Sequence, residues 1–396
     1  MNAWPDTLPA ACEALIGQGV DAIDTPALVV DLDAAGRNLQ RMAEFAARHR
    51  LRLRPHAKLH KSAAFARLQL QAGAVGLCTQ TVAEAEALAA AGIHDLFISN
   101  EVIALAKLQR VAALAQRLHE HGGRLAIAVD SDEGIARLAQ AMRAAPAGGI
   151  DVFVEVDIGQ GRCGVAPGAA VLERVRTLAA HAPVLHYAGL QAYHGGAQHL
   201  RTVAERRAAI GASAERLRAT GALLAAAGLA PPLVTGAGTG TFACEAASGL
   251  WGEIQPGSFL FMDADYARNE RDPAQPAFEP ALFVKSQVIS VAADHAVCDA
   301  GHKSHAIDSG LPTVHALPGQ PSLVVHNGGD EASILRPVEI AGGILRALPS
   351  LGDTVWLIPG HCDPTVNLHN QLIAVRGGLL DGRVEAVEPV LARGVW

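Results

Sequence analysis

Between residues 27 and 260 one rhythm recurs along the chain. A short, β-rich apolar run is followed by a longer Ala/Leu/Glu/Arg stretch with helical spacing. After a lead-in strand at Ala27–Val30 and a helix over Ala34–His49, the short runs are Leu51–Pro55, Val75–Cys78, Asp95–Ser99 and Leu125–Val129. They continue with Asp151–Val156, Ala188–Tyr193, Leu233–Thr235 and Gly252–Gln255. The stretches between them, such as Val82–Ala91, Leu105–His119 and Ala204–Ala227, are amphipathic and rich in alanine. Eight β units separated by helical patterns match the count of a (β/α)8 TIM barrel. A doubly wound open sheet is the alternative, because periodicity cannot show closure; the eighth unit favours the barrel.

After Tyr266 the rhythm changes. Short strands are predicted at Ala281–Ala292, His295–Asp299, Ser322–His326, Thr354–Ile358 and Leu372–Val375, with a hairpin turn over Gly377–Gly382. The one long helical stretch predicted there surrounds Ile340–Leu348. The chain therefore divides into a lead-in strand (1–30), an α/β barrel (31–270) and a C-terminal mostly-β domain (271–396).

Composition narrows the function classes. The 396 residues carry 32 Lys+Arg against 39 Asp+Glu, and half are apolar. That apolar fraction excludes intrinsic disorder, and a mildly acidic chain without a long basic run argues against a nucleic-acid partner. The longest uncharged stretch, Ala219–Cys244, is broken by Pro231 and Pro232, so no membrane span is expected. The opening Met1–Val20 holds Asp6 and Glu13 without a basic start, unlike a secretory signal. Six cysteines stand singly, with no C-x-x-C pair, as in reduced cytoplasmic proteins.

In a barrel, functional groups gather at the C-terminal ends of the strands. Those ends read His56 and Lys58, Thr79 and Gln80, Asn100 and Glu101, then Asp130. Next come Asp157 with Arg162, Tyr193 with His194, Thr235 with Gly236, and Gln255 with Gly257 and Ser258. A lysine desolvated in a barrel mouth can form a Schiff base; the alternative for Lys58 is a surface lysine in a basic loop, given Lys61 nearby. The Thr235–Thr241 run, including Gly238 and Thr239, has the glycines and threonines that cradle phosphate, and it follows strand seven, where barrels bind that group. A strand-one lysine facing such a cup suggests pyridoxal phosphate. In the C-terminal domain, His361 and Asp363 on an extended segment would project to one side and Cys362 to the other. That imidazole–carboxylate pair suits Mn2+ or another borderline ion, unless it is a plain hydrogen-bonded turn.

Together, Arg54-Pro-His-Ala-Lys58, Gly159-Gln-Gly-Arg162-Cys-Gly164, Gly189-Leu-Gln-Ala-Tyr193-His194, Gln255-Pro-Gly-Ser258 and His361-Cys-Asp363-Pro-Thr-Val-Asn-Leu-His369 resemble the D-threonine aldolase family. These are fold-type III pyridoxal-phosphate enzymes related to D-serine dehydratase and, more remotely, alanine racemase. The motifs appear in order from about Thr25 to the C-terminus. The resemblance implies an alanine racemase-like barrel, a β domain to which the lead-in strand contributes, and a homodimer. It assigns Lys58 to the cofactor amine, Arg162 to its phenolic oxygen and Tyr193 to the flank of its ring, with His56 and Gln80 nearby. Gln255 stands where alanine racemase has an arginine facing the pyridine nitrogen. Thr235, Gly238, Thr239, Gly257 and Ser258 fall to the phosphate side, and His361 and Asp363 to the divalent ion (Mn2+ first, Mg2+ or Co2+ next).

D-serine dehydratase carries His-x-Cys where this chain reads His361-Cys-Asp363, which favours the aldolase. Alanine racemase needs a tyrosine base from its β domain, and the only tyrosines here are 187, 193 and 266. The implied reaction is retro-aldol cleavage of a D-3-hydroxy-amino acid to glycine and an aldehyde, with His194 as the base. Two segments, Ile307–Pro312 and Gly360–Pro364, look more like the 3-hydroxy-D-aspartate aldolase branch, which would release glyoxylate. Family members usually have Asp-Glu-His-Gly where this chain has Asp330-Glu331-Ala332-Ser333, and an Asp at Asn370. A dehydratase and a non-catalytic cofactor-binding barrel are the other readings; the latter proteins are short and lack a β domain.

Overall fold

The structure, a computed structural model, describes residues 14–145, 149–317, 322–338 and 348–394. The helix predicted around Ile340–Leu348 lies outside the described residues except for Leu348. By compactness the chain forms two units. One comprises Gln40–Gly257 with Asn269–Pro276; the other gathers Met1–Leu39, Ser258–Arg268 and Ala277–Arg393.

Strand β1 (Ala27–Asp31) and helix α1 (Leu32–Arg48) come first. The first unit then alternates strand and helix: β2 (Arg52–Leu53), α2 (Ala63–Gln71), β3 (Leu77–Thr79), α3 (Val82–Ala90), β4 (Asp95–Ile98) and α4 (Leu105–Glu120). The alternation continues through β5 (Arg124–Val129), α5 (Asp132–Ala144), β6 (Ile150–Glu155), α6 (Ala169–Ala179) and β7 (Leu185–Ala192). It ends with α7 (Val203–Ala226), β8 (Val234–Gly236), α8 (Phe242–Ser248) and β9 (Glu253–Ile254). The eight strands β2 to β9 are parallel, in the order β2-β9-β8-β7-β6-β5-β4-β3.

The end strands of that order meet. Val75 N–H donates to Leu53 O at 2.9 Å and Cys78 N–H to Pro55 O at 2.8 Å, and His56 and Cys78 form a parallel bridge. The sheet is therefore closed, which decides for the barrel over the open sheet. Its interior is filled by one face of the strands, with Phe97 and Phe153 interleaved with Cys78, Ala126 and Ala128. Large and small residues alternate because neighbouring strands lie too close for bulky groups at every position.

The second unit is a nine-stranded sheet of β10 (Leu282–Val291), β11 (Ala296–Cys298), β12 (Thr313–Val314), β13 (Leu323–Asn327), β14 (Ser333–Pro337), β15 (Thr354–Ile358), β16 (Gln371–Arg376), β17 (Arg383–Pro389) and β1. Strand β1 runs antiparallel to β10 and parallel to β16. Val29, Phe283, Trp356, Ile373, Val375 and Val387 form its core. The hairpin joining β16 to β17 occurs at 377–382, as the glycines there imply; Gly377 and Gly378 have φ of +89° and +83°. Three strands were not predicted. β12 is two residues long, β14 ends in a proline, and β17 shows a buried face of only Val384 and Val387 among exposed or half-exposed neighbours. Among its described residues this unit also holds two short helices, α9 (Ala264–Ala267) and α10 (Cys362–Leu368).

Candidate active site

Two residues beyond the interior layer, on the same face of each strand, come Gln80, Ser99, Asp130 and Glu155. The chain leaves β2 as a 3-10 turn over Ala57–Leu59, capped by His56, whose Nδ1 accepts from the Lys58 N–H at 3.4 Å. That bond assigns the ring proton to Nε2, which lies 3.2 Å from Gln80 Oε1 and 3.3 Å from Ser99 Oγ. Lys58 is thus partly buried on a turn fixed at its base. Lys61 is occupied differently, with its Nζ 3.3 Å from Glu84 Oε1. The other oxygen of Glu84 accepts from the N–H groups of Gln80 and Thr81 in the capping box that opens α3. Gly257 packs against the Lys58 turn so closely that a Cβ there would lie 3.1 Å from His56 O and from Leu59 Cδ2.

A buried polar lattice crosses the barrel below. Gln255 Nε2 donates to Gln191 Oε1 and to Thr235 Oγ1, both at 2.8 Å, while Gln191 Nε2 returns a bond to Gln255 Oε1 at 3.2 Å. Thr235 donates onward to Glu253 Oε1 at 2.8 Å, and Arg54 binds the same oxygen at 3.1 Å. Both amide hydrogens of Gln255 are therefore engaged inside the lattice, which leaves only its carbonyl oxygen with spare hydrogen-bonding capacity, as an acceptor.

The Thr235–Thr241 turn is shaped from beneath by Gln198, a fully buried residue not singled out in the sequence. Gln198 Oε1 accepts from the Gly240 N–H at 2.9 Å, and its Nε2 donates to Thr241 Oγ1 at 2.8 Å and to His194 O at 3.1 Å. A Cβ at Gly238 would lie 2.5 Å from that same Oε1 and 3.2 Å from the Tyr193 ring, so only glycine lets the turn settle there. Thr239, between these residues, is buried. Thr241 in turn donates to Glu245 at 2.7 Å, and burial pushes this carboxyl up to about 7 despite that bond.

Asp157 organises the opposite loop. Its Oδ1 accepts from the N–H groups of Gly159 and Gly161, both at 3.0 Å, and these bonds hold its carboxyl below the ordinary range. The loop carries Arg162, whose guanidinium carbon stands 5.9 Å from the centre of the Tyr193 ring, within cation–π range. His194 packs its Nε2 edge against Gly159, where a Cβ would lie 2.9 Å away, and its Nδ1 is buried without a hydrogen-bond partner. Burial lowers its pKa, Asp157 opposes the shift, and Arg216 adds to it, so the ring is neutral near pH 7. Glu155, at the end of β6, is buried; burial and then the Glu101 carboxylate raise its pKa far above the usual range. Strand alternation from Phe153 would have found Glu155, and from Phe97 Ser99. Gln198 leaves no such signal.

In the second unit the expected extended segment is absent. His361 caps α10, and Cys362 and Asp363 form its first turn, where Pro364 loses no intrahelical bond and an acidic residue favours the helix dipole. Cys362 is fully buried, with its N–H donating to Asp263 Oδ2 at 3.0 Å, and burial drives its thiol pKa well up. His361 and Asp363 remain partly exposed. His361 Nδ1 lies 2.6 Å from Asp308 Oδ2, which leaves Nε2 as the ring's available lone pair. Among the described residues no three His, Cys, Asp or Glu side chains converge on one metal position. Ser258, next to Gly257, is buried and belongs to this unit. Among the described residues no helix is long and apolar enough to cross a membrane.

The alanine racemase N-terminal domain family matches residues 30–265, and a serine dehydratase domain family matches 281–375. A D-threonine aldolase of Arthrobacter sp. is 43% identical over 380 residues, covering 96% of this chain and 95% of that protein. A 3-hydroxy-D-aspartate aldolase of Paracoccus denitrificans (strain Pd 1222) is 41% identical over 387 residues, with the same coverage. The crystal structure of D-threonine aldolase from Filomicrobium marinum superposes with a TM-score of 0.89 at 44% identity, covering 96% of this chain and 98% of that one. The chain belongs to the family of D-threonine and 3-hydroxy-D-aspartate aldolases, built on an alanine racemase-like barrel.

Proposed function

We propose that this protein is a carbon–carbon lyase that cleaves D-3-hydroxy-amino acids to glycine and an aldehyde, using pyridoxal phosphate and a divalent ion. The observation that carries the reading is the donor set opening α10. A histidine and a carboxylate are partly exposed there while the intervening thiol is buried, which suits an oxygen-preferring ion better than a thiolate zinc site. Mn2+ is the first choice, with Mg2+ or Co2+ suited to the same donors.

The barrel residues fit the cofactor. Lys58 would supply the amine, Gly238, Thr239 and Gly257 the barrel's phosphate contacts, and Arg162 and Tyr193 the ring's flank. His56 and Gln80 would hold the Lys58 turn, and Thr235 with Gln255 the floor. When bound, pyridoxal phosphate supplies an electron sink for the charge left on Cα, and a divalent ion acidifies a hydroxyl that it coordinates. His194, neutral at pH 7, is suited to take the hydroxyl proton. The reading extends to a cytoplasmic homodimer acting on a small molecule, with no nucleic-acid or membrane partner.

A second reading, cleavage of 3-hydroxy-D-aspartate to glycine and glyoxylate, draws on the Ile307–Pro312 segment. Product analysis with D-threonine, D-phenylserine and both 3-hydroxyaspartate diastereomers separates the cases. Glycine plus aldehyde supports the lyase and the preferred substrate names the branch; ammonia plus a keto acid would mean dehydration. Lys58→Ala should lack the visible absorbance of lysine-bound cofactor, and an unchanged spectrum would remove Lys58 from its role.

A further inference from the structure

We propose that Asp308 is the positioning residue of the divalent-ion site, accepting the Nδ1–H of His361 and so fixing the tautomer whose bare Nε2 takes the ion. This rests on the reading of His361 and Asp363 as the metal pair. Three independent contacts build the arrangement, all within the second unit. The carboxylate meets the ring at 2.6 Å, a short, charge-assisted distance. The loop carrying Asp308 is pressed onto the His361 backbone, because Gly360 lacks a Cβ that would fall 2.0 Å from Gly310 O. Thr365 Oγ1 donates to His361 O at 2.7 Å and accepts from the Ala306 N–H at 3.1 Å, which ties both sides of the pair to one buried hydroxyl. Arg268 adds a further tether by donating to Ser309 O at 2.7 Å.

Asp308 is not itself placed to be a ligand alongside His361 Nε2. Its Oδ2 sits at Nδ1, on the opposite edge of the ring. An imidazole ligand whose second nitrogen donates to a carboxylate is held in orientation and made more basic, and losing that partner typically weakens metal binding about 10–100-fold.

The test is Mn2+ binding to the purified full chain, followed by the EPR signal of free Mn2+, in wild type, Asp308→Ala, Asp308→Asn and His361→Ala. Alongside it, 15N NMR of the metal-free protein reads the His361 tautomer. Asp308→Ala should bind Mn2+ about 10–100-fold more weakly and shift the His361 proton from Nδ1 toward Nε2. Asp308→Asn, which keeps an acceptor oxygen, should lose less affinity and keep the tautomer, and it stands in if the alanine variant fails to fold. Wild-type affinity in Asp308→Ala, or an Nε2–H tautomer in the wild type, overturns the proposal while the metal pair survives. Full Mn2+ affinity in His361→Ala, or none in the wild type, overturns both.

Discussion

At the scale of single residues, one imidazole and one carboxyl group have environments that set a pH response. His194 is held neutral by burial, so its pKa lies below the ordinary imidazole value. If it is the base, kcat/KM should rise with pH on a limb whose midpoint falls below about 6.5. His194→Asn should lower kcat at every pH and remove that limb; a limb that persists would pass the role to another group. Glu155 has the opposite sign. Its folded-state pKa is raised above the unfolded value, so the folded chain holds a proton that the unfolded chain releases. The stability it contributes is complete below about pH 4.3 and is lost as pH climbs toward the folded pKa. Urea unfolding of Glu155→Gln should therefore show a shallower loss of stability from pH 5 to 8 than the wild type, and parallel slopes would discard the assignment.

At the scale of elements, much was legible because a barrel writes its mouth into the sequence at intervals. Each strand end is a local event, and eight apolar runs in series specify where His56, Gln80, Tyr193 and Gln255 fall without any knowledge of long-range contacts. What escaped needed those contacts. Gln198 is one residue of a 3-10 turn, and its importance comes from reaching Gly240 and Thr241 more than forty residues away. The segment 361–363 reads by alternation as an extended chain with the thiol turned away from the pair, whereas Cys362 and Asp363 open a helix and the buried thiol donates to Asp363 Oδ1 at 3.4 Å. A glycine inside a strand can serve the ladder instead of a turn. Gly189, at φ +141°, would place a Cβ 1.9 Å from Leu233 O, beside the bond from Leu190 N–H to that same oxygen. Gly189→Ala should cost about 2–4 kcal/mol through backbone displacement between β7 and β8. Calorimetry should show the drop, and a variant as stable as wild type would mean that the joint can relax.

At the scale of the whole chain, the second unit is assembled from three separated segments, and one side chain ties the first to the third. Lys285, in β10, is almost wholly buried, and its Nζ donates to Ile23 O at 2.5 Å, Val20 O at 3.0 Å and Asp21 O at 3.4 Å. Burial lowers its pKa, opposed by Asp21, Asp24 and Asp299, so the ammonium is retained by carbonyls and nearby carboxylates together. A buried lysine is tolerated where its three donors meet three acceptors. Here the acceptors are the carbonyls of the turn that leads into β1, so the bond network fixes where the lead-in segment enters the sheet. Lys285→Met preserves the bulk but strands those carbonyls, at about 1–3 kcal/mol for each one left unsatisfied. The loss should be local. Hydrogen exchange should quicken at Val20, Ala22 and Ile23 and along β1 and β10, while barrel amides such as Leu190 keep their protection. Equal loss of protection in both units would instead mean that Lys285 stabilises the chain as one cooperative block, and no loss at residues 20–23 would mean that the sheet alone holds the segment in place.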